Sequence, residues 1–315
     1  MAKSTGTPLR ILMLHGYTQS GSLFHAKSRA LEKHIQKNLP TYSVTLSYPS
    51  GPIGLSPSDI PNFTPSSTPS SSNGGTPAED KPEAFAWWRR SDSIDPPEYV
   101  GLEKGLATVA RVLVDEGPFD GVIGFSQGAC LAAMVTSLLE HDRSKAFAYF
   151  SDPANNQQQL VAQLPGGSQQ NPQKPPQDTG DKKMVTGIPF PSSFADIAHP
   201  PMKFAICYGG FIAPGTRYRA FYEQPKIQTP VLHVLGTLDM IVEETRSRKL
   251  IESCAGNPES DGKVLWHPGG HFLPSQRPYL DGAVQFIRLH LEGLDGNGNG
   301  KGDDGVGVEH MDVPF

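Results

Sequence analysis

A chain of 315 residues can bury one large core with peripheral insertions, or two small cores. Its formal net charge of -5, with no clustered Lys/Arg stripe, argues against nucleic acid as a partner. No apolar run reaches the roughly 18 residues that span a bilayer, and Met1 to Gly6 lacks the apolar core of a secretory signal, so a soluble, cytoplasmic protein is expected.

The first element is the apolar run Ile11 to Leu14, which breaks at His15-Gly16 as a buried parallel strand does before its loop. Leu23, Ala30, Leu31, Ile35 and Leu39 then recur at mostly helical spacing until Pro40, and Tyr42 to Tyr48 reads as a second strand. Strand, helix, strand is the opening of a parallel sheet with right-handed crossovers. From about 49 to 83 the composition turns to Pro, Ser, Gly, Asn and Thr, the signature of a long, partly disordered surface insertion. Asn62-Phe63-Thr64 within it matches a glycosylation acceptor and is discounted in the absence of a secretory signal. Order resumes at Phe85 to Arg90. On a helix two adjacent tryptophans cannot both face inward, so of Trp87 and Trp88 one is expected in the core, while the other lines a substrate groove or covers the sheet edge.

Leu102, Leu106, Val109 and Leu113 step by four, three and four and predict a helix closed by Gly117-Pro118. A strand over Gly121 to Phe125 and a helix-compatible run from Ala129 to Leu139 follow. A second polar insertion is placed at about 155 to 200, with a strand resuming at Met202 to Cys207. The two insertions follow different strands, which suits either a joint lid or two unrelated solvated loops. Val231 to Leu235 predicts a further strand, Glu243 to Cys254 a helix and Lys263 to His267 the last strand. Leu280, Val284, Ile287 and Leu291 predict the closing helix. The division expected is one domain over 1–292 and a disordered Gly/Asp-rich tail over 293–315. In that tail Asp295 to Gly300 imitates half a calcium loop, but Val306 stands where the bidentate Glu belongs, and Gly300 to Gly305 imitates a dinucleotide fingerprint with no strand before it. Cys130, Cys207 and Cys254 are widely spaced, which speaks against a disulfide framework or zinc ribbon and for small buried apolar residues. No metal and no cofactor is expected.

Chemistry concentrates at Gly124-Phe125-Ser126-Gln127-Gly128, a Gly-x-Ser-x-Gly between a strand and a helix. Such a turn strains the serine backbone and projects its hydroxyl from the sheet, while the flanking glycines let strand and helix approach: the geometry of a nucleophile elbow. The pentapeptide is short enough to arise by chance, so its partners decide the matter. Acyl transfer by serine needs a base, an acid that orients the base, and N–H donors at the oxyanion, and in an α/β-hydrolase the order along the chain is Ser, acid, His, each after a strand. Ser126, Asp239 and His271 satisfy both order and context. His267 competes for the base but ends a strand before Pro268; Glu243 and Glu244 compete for the acid but fall in a predicted helix. The oxyanion donors are assigned to the N–H groups of Gln127, next to the serine, and Tyr17, in the loop after the first strand. His15 reads as a structural hydrogen-bonding residue. Trp87, Trp88 and Phe211 are the candidate substrate contacts.

Four blocks carry a family resemblance: Leu14-His15-Gly16-Tyr17-Thr18-Gln19-Ser20-Gly21, Gly124 to Ala129, Val234 to Asp239, and His267-Pro268-Gly269-Gly270-His271. Together they resemble the fungal serine hydrolase family, α/β-hydrolases related to the ovarian-cancer-associated serine hydrolase and, more distantly, to acyl-protein thioesterases. The resemblance runs from about Leu9 to Leu291 with the insertions excluded. It implies a mostly parallel sheet of about six strands with helices on both faces, and hydrolysis of a carboxylic ester or thioester by Ser126, Asp239 and His271. Some fungal members of similar core release polyketide acyl chains, which implies a candidate role in secondary metabolism with a polyketide synthase as partner. The insertions and tail lie outside the family core, so the substrate is not implied. A catalytically silent hydrolase fold used for interaction and a general short-chain carboxylesterase are the competing expectations.

Overall fold

The computed structural model describes residues 6–60, 84–152, 154–155 and 186–292. The glycosylation match, the remainder of both insertions and the tail with its two imitations lie outside the described residues.

The sheet begins with β1 (Thr7–Leu14) and β2 (Tyr42–Ser47), joined by α1 (Gly21–Asn38), whose first turn is capped by the Ser20 hydroxyl accepting the Leu23 N–H at 3.2 Å. Two short pairs follow: β3 (Ile53–Gly54) with β4 (Phe85–Ala86), and β5 (Arg89–Ser91) with β6 (Glu98–Val100), both antiparallel. Then come α2 (Leu102–Glu116), β7 (Gly121–Phe125), α3 (Gln127–Leu138), α4 (Arg143–Ser151), β8 (Phe204–Tyr208), β9 (Val231–Gly236), α5 (Glu244–Glu252), β10 (Val264–His267) and α6 (Arg277–Glu292). Six of these strands form one parallel sheet in the order β10-β9-β8-β7-β1-β2.

Alternation along β1 shows why the sheet is covered on both faces. Leu9, Ile11 and Met13 pack with Phe24, Leu31 and Ile35 of α1 and Leu280, Val284 and Ile287 of α6. Leu12 and Leu14 point the other way, into the core built with α2, α3 and Leu250 of α5. A strand buried on both sides must be apolar at every position, which is why Ile11 to Leu14 is unbroken in sequence. Because the strands are parallel, the loops after β1, β7, β8, β9 and β10 all leave from one edge, the edge where ligands bind in open α/β sheets.

Several sequence expectations need correction. The Trp87-Trp88 segment is not helical: it is the two-residue link between β4 and β5, bent at Trp87, and both indoles are buried, Trp87 at 0% and Trp88 at 2% exposure. The first insertion is ordered over its opening residues, where Ile53 and Gly54 pair with Phe85 and Ala86 and Leu55 is buried. The helix after the elbow starts at Gln127 rather than Ala129, immediately after the serine. Within the second insertion the described stretch 186–200 includes Phe194, which is buried against the core. The three cysteines are free and buried.

Candidate active site

Ser126 stands between β7 and α3 with φ 53° and ψ -115°, a conformation that a residue with a Cβ adopts only under constraint. Two backbone hydrogen bonds hold it on the helix side, from Ala129 and Cys130 N–H to the Ser126 carbonyl, each 3.0 Å. On the sheet side its own N–H donates to the Tyr208 carbonyl at 2.8 Å. The turn requires glycine at both flanks: a Cβ on Gly124 would lie 2.2 Å from the Gly128 carbonyl oxygen, and one on Gly128 would lie 2.0 Å from that of Leu14.

Asp239 and His271 come from the loops after β9 and β10 and meet at 2.7 Å between Oδ2 and Nδ1. The other carboxylate oxygen, Oδ1, accepts the N–H groups of Ile241 and Val242, both at 2.9 Å, so the acid is locked by its own loop. A carboxylate at Nδ1 keeps the proton there and leaves Nε2 as the acceptor. Among the described residues the buried Nε2 atom has no hydrogen-bond partner. The imidazole lies 4.9 Å, centroid to centroid, from the ring of Phe125, directly before the serine, and it packs against Gly209, directly after Tyr208. The imidazole thus sits against the residue before Ser126 and the residue after Tyr208, whose carbonyl accepts the Ser126 N–H, while no hydrogen bond joins His271 to Ser126; such contacts commonly tighten only with substrate bound.

The competing residues are occupied elsewhere. The Nδ1 of His267 accepts the Gly269 N–H at 3.3 Å, and its ring packs on Phe272 and Tyr279. Glu244 is paired with Arg248, and Glu243 is exposed at the start of α5. His15 is fully buried, with Nδ1 at 2.7 Å from the Gly16 carbonyl and Nε2 accepting the Gly51 N–H at 2.8 Å. Burial pushes its pKa down to about 4, so both hydrogen bonds belong to the neutral ring.

Tyr17 follows that pinned loop, and among the described residues its N–H meets no acceptor, while its hydroxyl donates to the Asp59 carbonyl at 3.1 Å. Gln127 is the first residue of α3, where helix N–H groups lack intrahelical acceptors. Its side chain acts separately: Oε1 accepts the Trp87 N–H and Nε2 donates to the Trp88 carbonyl, both at 2.9 Å. A cleft of about 410 Å³ is lined by Ser126, Gln127, Tyr17, Trp88, Phe211 and Arg246, among others. Trp88 is stacked on Tyr99 at 4.7 Å and forms one wall. Trp87 does not line it; its indole N–H donates to the His15 carbonyl at 2.9 Å, which makes it a prop beneath the Tyr17 loop and corrects its assignment as a substrate contact. Sequence reasoning missed Arg246, Tyr99 and Gly209. Only Gly209 left a trace, the Gly209-Gly210 doublet at a strand end.

A parallel six-stranded sheet with a strained serine at a strand-to-helix turn and a histidine–aspartate pair over the same edge defines the α/β-hydrolase class. The solved structure of maize (Zea mays) acyl-protein thioesterase 2 shares that fold, with a TM-score of 0.50 at 15% identity, covering 92% of this chain and 97% of that one. Residues 3–283 match the family model described as serine hydrolase (FSH1), and the chain belongs to that family. It is 27% identical to a zebrafish (Danio rerio) protein named esterase OVCA2, over 90% of this chain and 98% of the relative. It is 26% identical to family of serine hydrolases 3 of Saccharomyces cerevisiae, over 89% and 83%. A Schizosaccharomyces pombe protein named dihydrofolate reductase is 30% identical over 89% of this chain, which spans about half, 47%, of that relative's length.

Proposed function

We propose that this protein hydrolyses a carboxylic ester or thioester through an acyl-enzyme, with residues 1–292 as one catalytic domain. Ser126 Oγ attacks the acyl carbonyl and its proton passes to His271 Nε2, while Asp239 holds the Nδ1 proton and balances the imidazolium charge. The Tyr17 and Gln127 N–H groups face the oxyanion of the tetrahedral intermediate. Collapse expels the alcohol or thiol, which takes the proton from His271; water then repeats the sequence on the acyl-serine and releases the acid.

The observation that carries this reading is the His271–Asp239 contact of 2.7 Å, with the second Asp239 oxygen tied to two backbone donors and the ring packed against Phe125. Family membership supports it, as do relatives named as esterases and a fold neighbour named as a thioesterase. Release of a polyketide acyl chain from a synthase is the finer form of the proposal; it rests on the thioester half of the reading and on the resemblance alone. Among the described residues no helix is long and apolar enough to cross a membrane.

A fluorophosphonate probe tests the core claim. Labelling is expected on Ser126 and is lost in Ser126→Ala; labelling that survives that substitution removes the assignment. A folded protein inert to the probe favours the silent interaction-protein reading. Turnover of short p-nitrophenyl esters with none on acyl-thioesters favours the general carboxylesterase.

A further inference from the structure

The wall of the Ser126 cleft holds three guanidinium groups, and two of them are paired: Arg89 with Asp59 at 2.9 Å and Arg90 with Asp92 at 2.8 Å. The third, Arg246 on α5, has no carboxylate partner among the described residues. It is fixed all the same. Its Nη2 donates to the Tyr99 hydroxyl at 3.3 Å and the Ile212 carbonyl at 3.4 Å, and its guanidinium carbon lies 4.2 Å from the centroid of the Phe211 ring. The Arg246 carbonyl accepts the Ile212 N–H at 3.2 Å, so the loop after β8 and the first turn of α5 hold each other. Nε and Nη1 make no hydrogen bond with the described residues.

Trp88, Phe211, Ile241 and Val242 line the cleft with Arg246, and a second cleft of about 540 Å³ shares Arg90, Ile241 and Arg246 with it and is lined as well by Glu223 and Glu243, neither of which forms an ion pair with Arg246. A half-buried cation against aromatic and aliphatic walls loses hydration without gaining a counter-charge, and an anionic ligand repairs the deficit. A guanidinium already oriented by stacking and two hydrogen bonds loses little freedom on binding, and its free N–H edge matches a planar carboxylate or a phosphate.

We propose that Arg246 is the anion-recognition residue of the Ser126 cleft, and that the preferred ester or thioester carries a carboxylate or phosphate group beside its acyl linkage. This assignment rests on the hydrolase reading of that cleft and names its substrate class. A carboxylate on the acyl chain and a phosphate on a pantetheine-type leaving group offer the same oxyanion chemistry.

Two matched pairs separate these sources: mono-p-nitrophenyl suberate against its methyl-capped form, and octanoyl 4′-phosphopantetheine against octanoyl pantetheine. Wild type is expected to favour the anionic member of one pair by about tenfold in kcat/KM, the order a charge-assisted hydrogen bond supports. Arg246→Gln should lower kcat/KM on that anionic member by about tenfold more than on its neutral match, through KM, while Arg246→Lys keeps part of the preference. Preference in the first pair assigns the anion to the acyl chain, and in the second to the leaving group. No preference in either pair, or equal losses on charged and neutral members, overturns the proposal, since a purely structural Arg246 affects both alike. Affinity is read independently of turnover by titrating Ser126→Ala with monomethyl and dimethyl suberate, and with octanoyl 4′-phosphopantetheine and octanoyl pantetheine. A gap in one pair that closes in Ser126→Ala/Arg246→Gln upholds the anion site even where Ser126 takes no fluorophosphonate label, the result that sinks the hydrolase reading itself.

Discussion

At Gly209, which follows β8 with φ +54°, a Cβ would lie 2.9 Å from Cε1 and 3.0 Å from Nδ1 of His271, and 3.7 Å from Oδ2 of Asp239. The space that the histidine–aspartate pair occupies therefore exists because this position has no side chain, in a backbone region that disfavours one. Gly209→Ala should cost roughly 1–2 kcal/mol of stability for the backbone. It should also push the imidazole off line, lowering kcat by about a hundredfold, the order expected for a displacement near 1 Å at a catalytic group. Steady-state kinetics beside a thermal melt will show it; undiminished kcat in the Gly209→Ala variant would mean that His271 does not act from this position.

Asp239→Asn makes a sharper test because the loop dictates which way the amide faces. The Ile241 and Val242 N–H groups require the oxygen, so the NH₂ turns to His271 Nδ1 and moves the ring proton to Nε2, where it blocks proton uptake from serine. A loss of kcat of about 10⁴ is expected with folding intact, as in other serine triads. A loss under tenfold would show that another group orients the base.

The Gln127 side chain satisfies one backbone donor and one backbone acceptor of the Trp87-Trp88 segment. Gln127→Met leaves both buried and unpaired, at about 1–3 kcal/mol each. Urea unfolding should show a stability loss of about 2–6 kcal/mol. A change below about 0.5 kcal/mol would show that the indole packing holds the segment unaided.

Two buried histidines link stability to acidity. Burial lowers the pKa of His15 to about 4 and that of His233 to about 3, against 6.5 for an exposed ring. Both are neutral in the folded protein, so between about pH 6.5 and 4 the unfolded chain binds more protons than the native one. Their contribution is complete above the unfolded value and is lost as pH falls, by up to roughly 1.4 kcal/mol per pH unit for each group. Melting temperature should therefore drop through this window, and His233→Leu should flatten the drop; parallel curves for the two proteins would refute the assignment.

The pattern of one sequence was enough for the sheet, most of its helices, the elbow, and the pairing of Asp239 with His271 in preference to Glu243, Glu244 or His267. Each of these rests on short-range physics. An apolar run buried on both faces, a 3.6-residue stripe and a glycine-flanked serine are local signals, and parallel strands then force their trailing loops to one edge. Less regular elements escaped notice. The short α4 buries only three apolar residues, Ala146, Phe147 and Phe150, too few to set a period, and the β5–β6 hairpin is mostly charged or polar.

What only the tertiary structure decided is the lining of the cleft. Trp87 and Trp88 were separated by their contacts, one under the His15 carbonyl, 72 residues away in the chain, and the other against Tyr99. Arg246 lies 147 residues from Tyr99 and 34 from the Ile212 carbonyl it touches. Its arginine looks like any solvated charge on a helix until the loops close around it. Motifs record chemistry that neighbouring residues must perform together, whereas the shape and charge of a pocket arise from surfaces that meet only after the chain has folded.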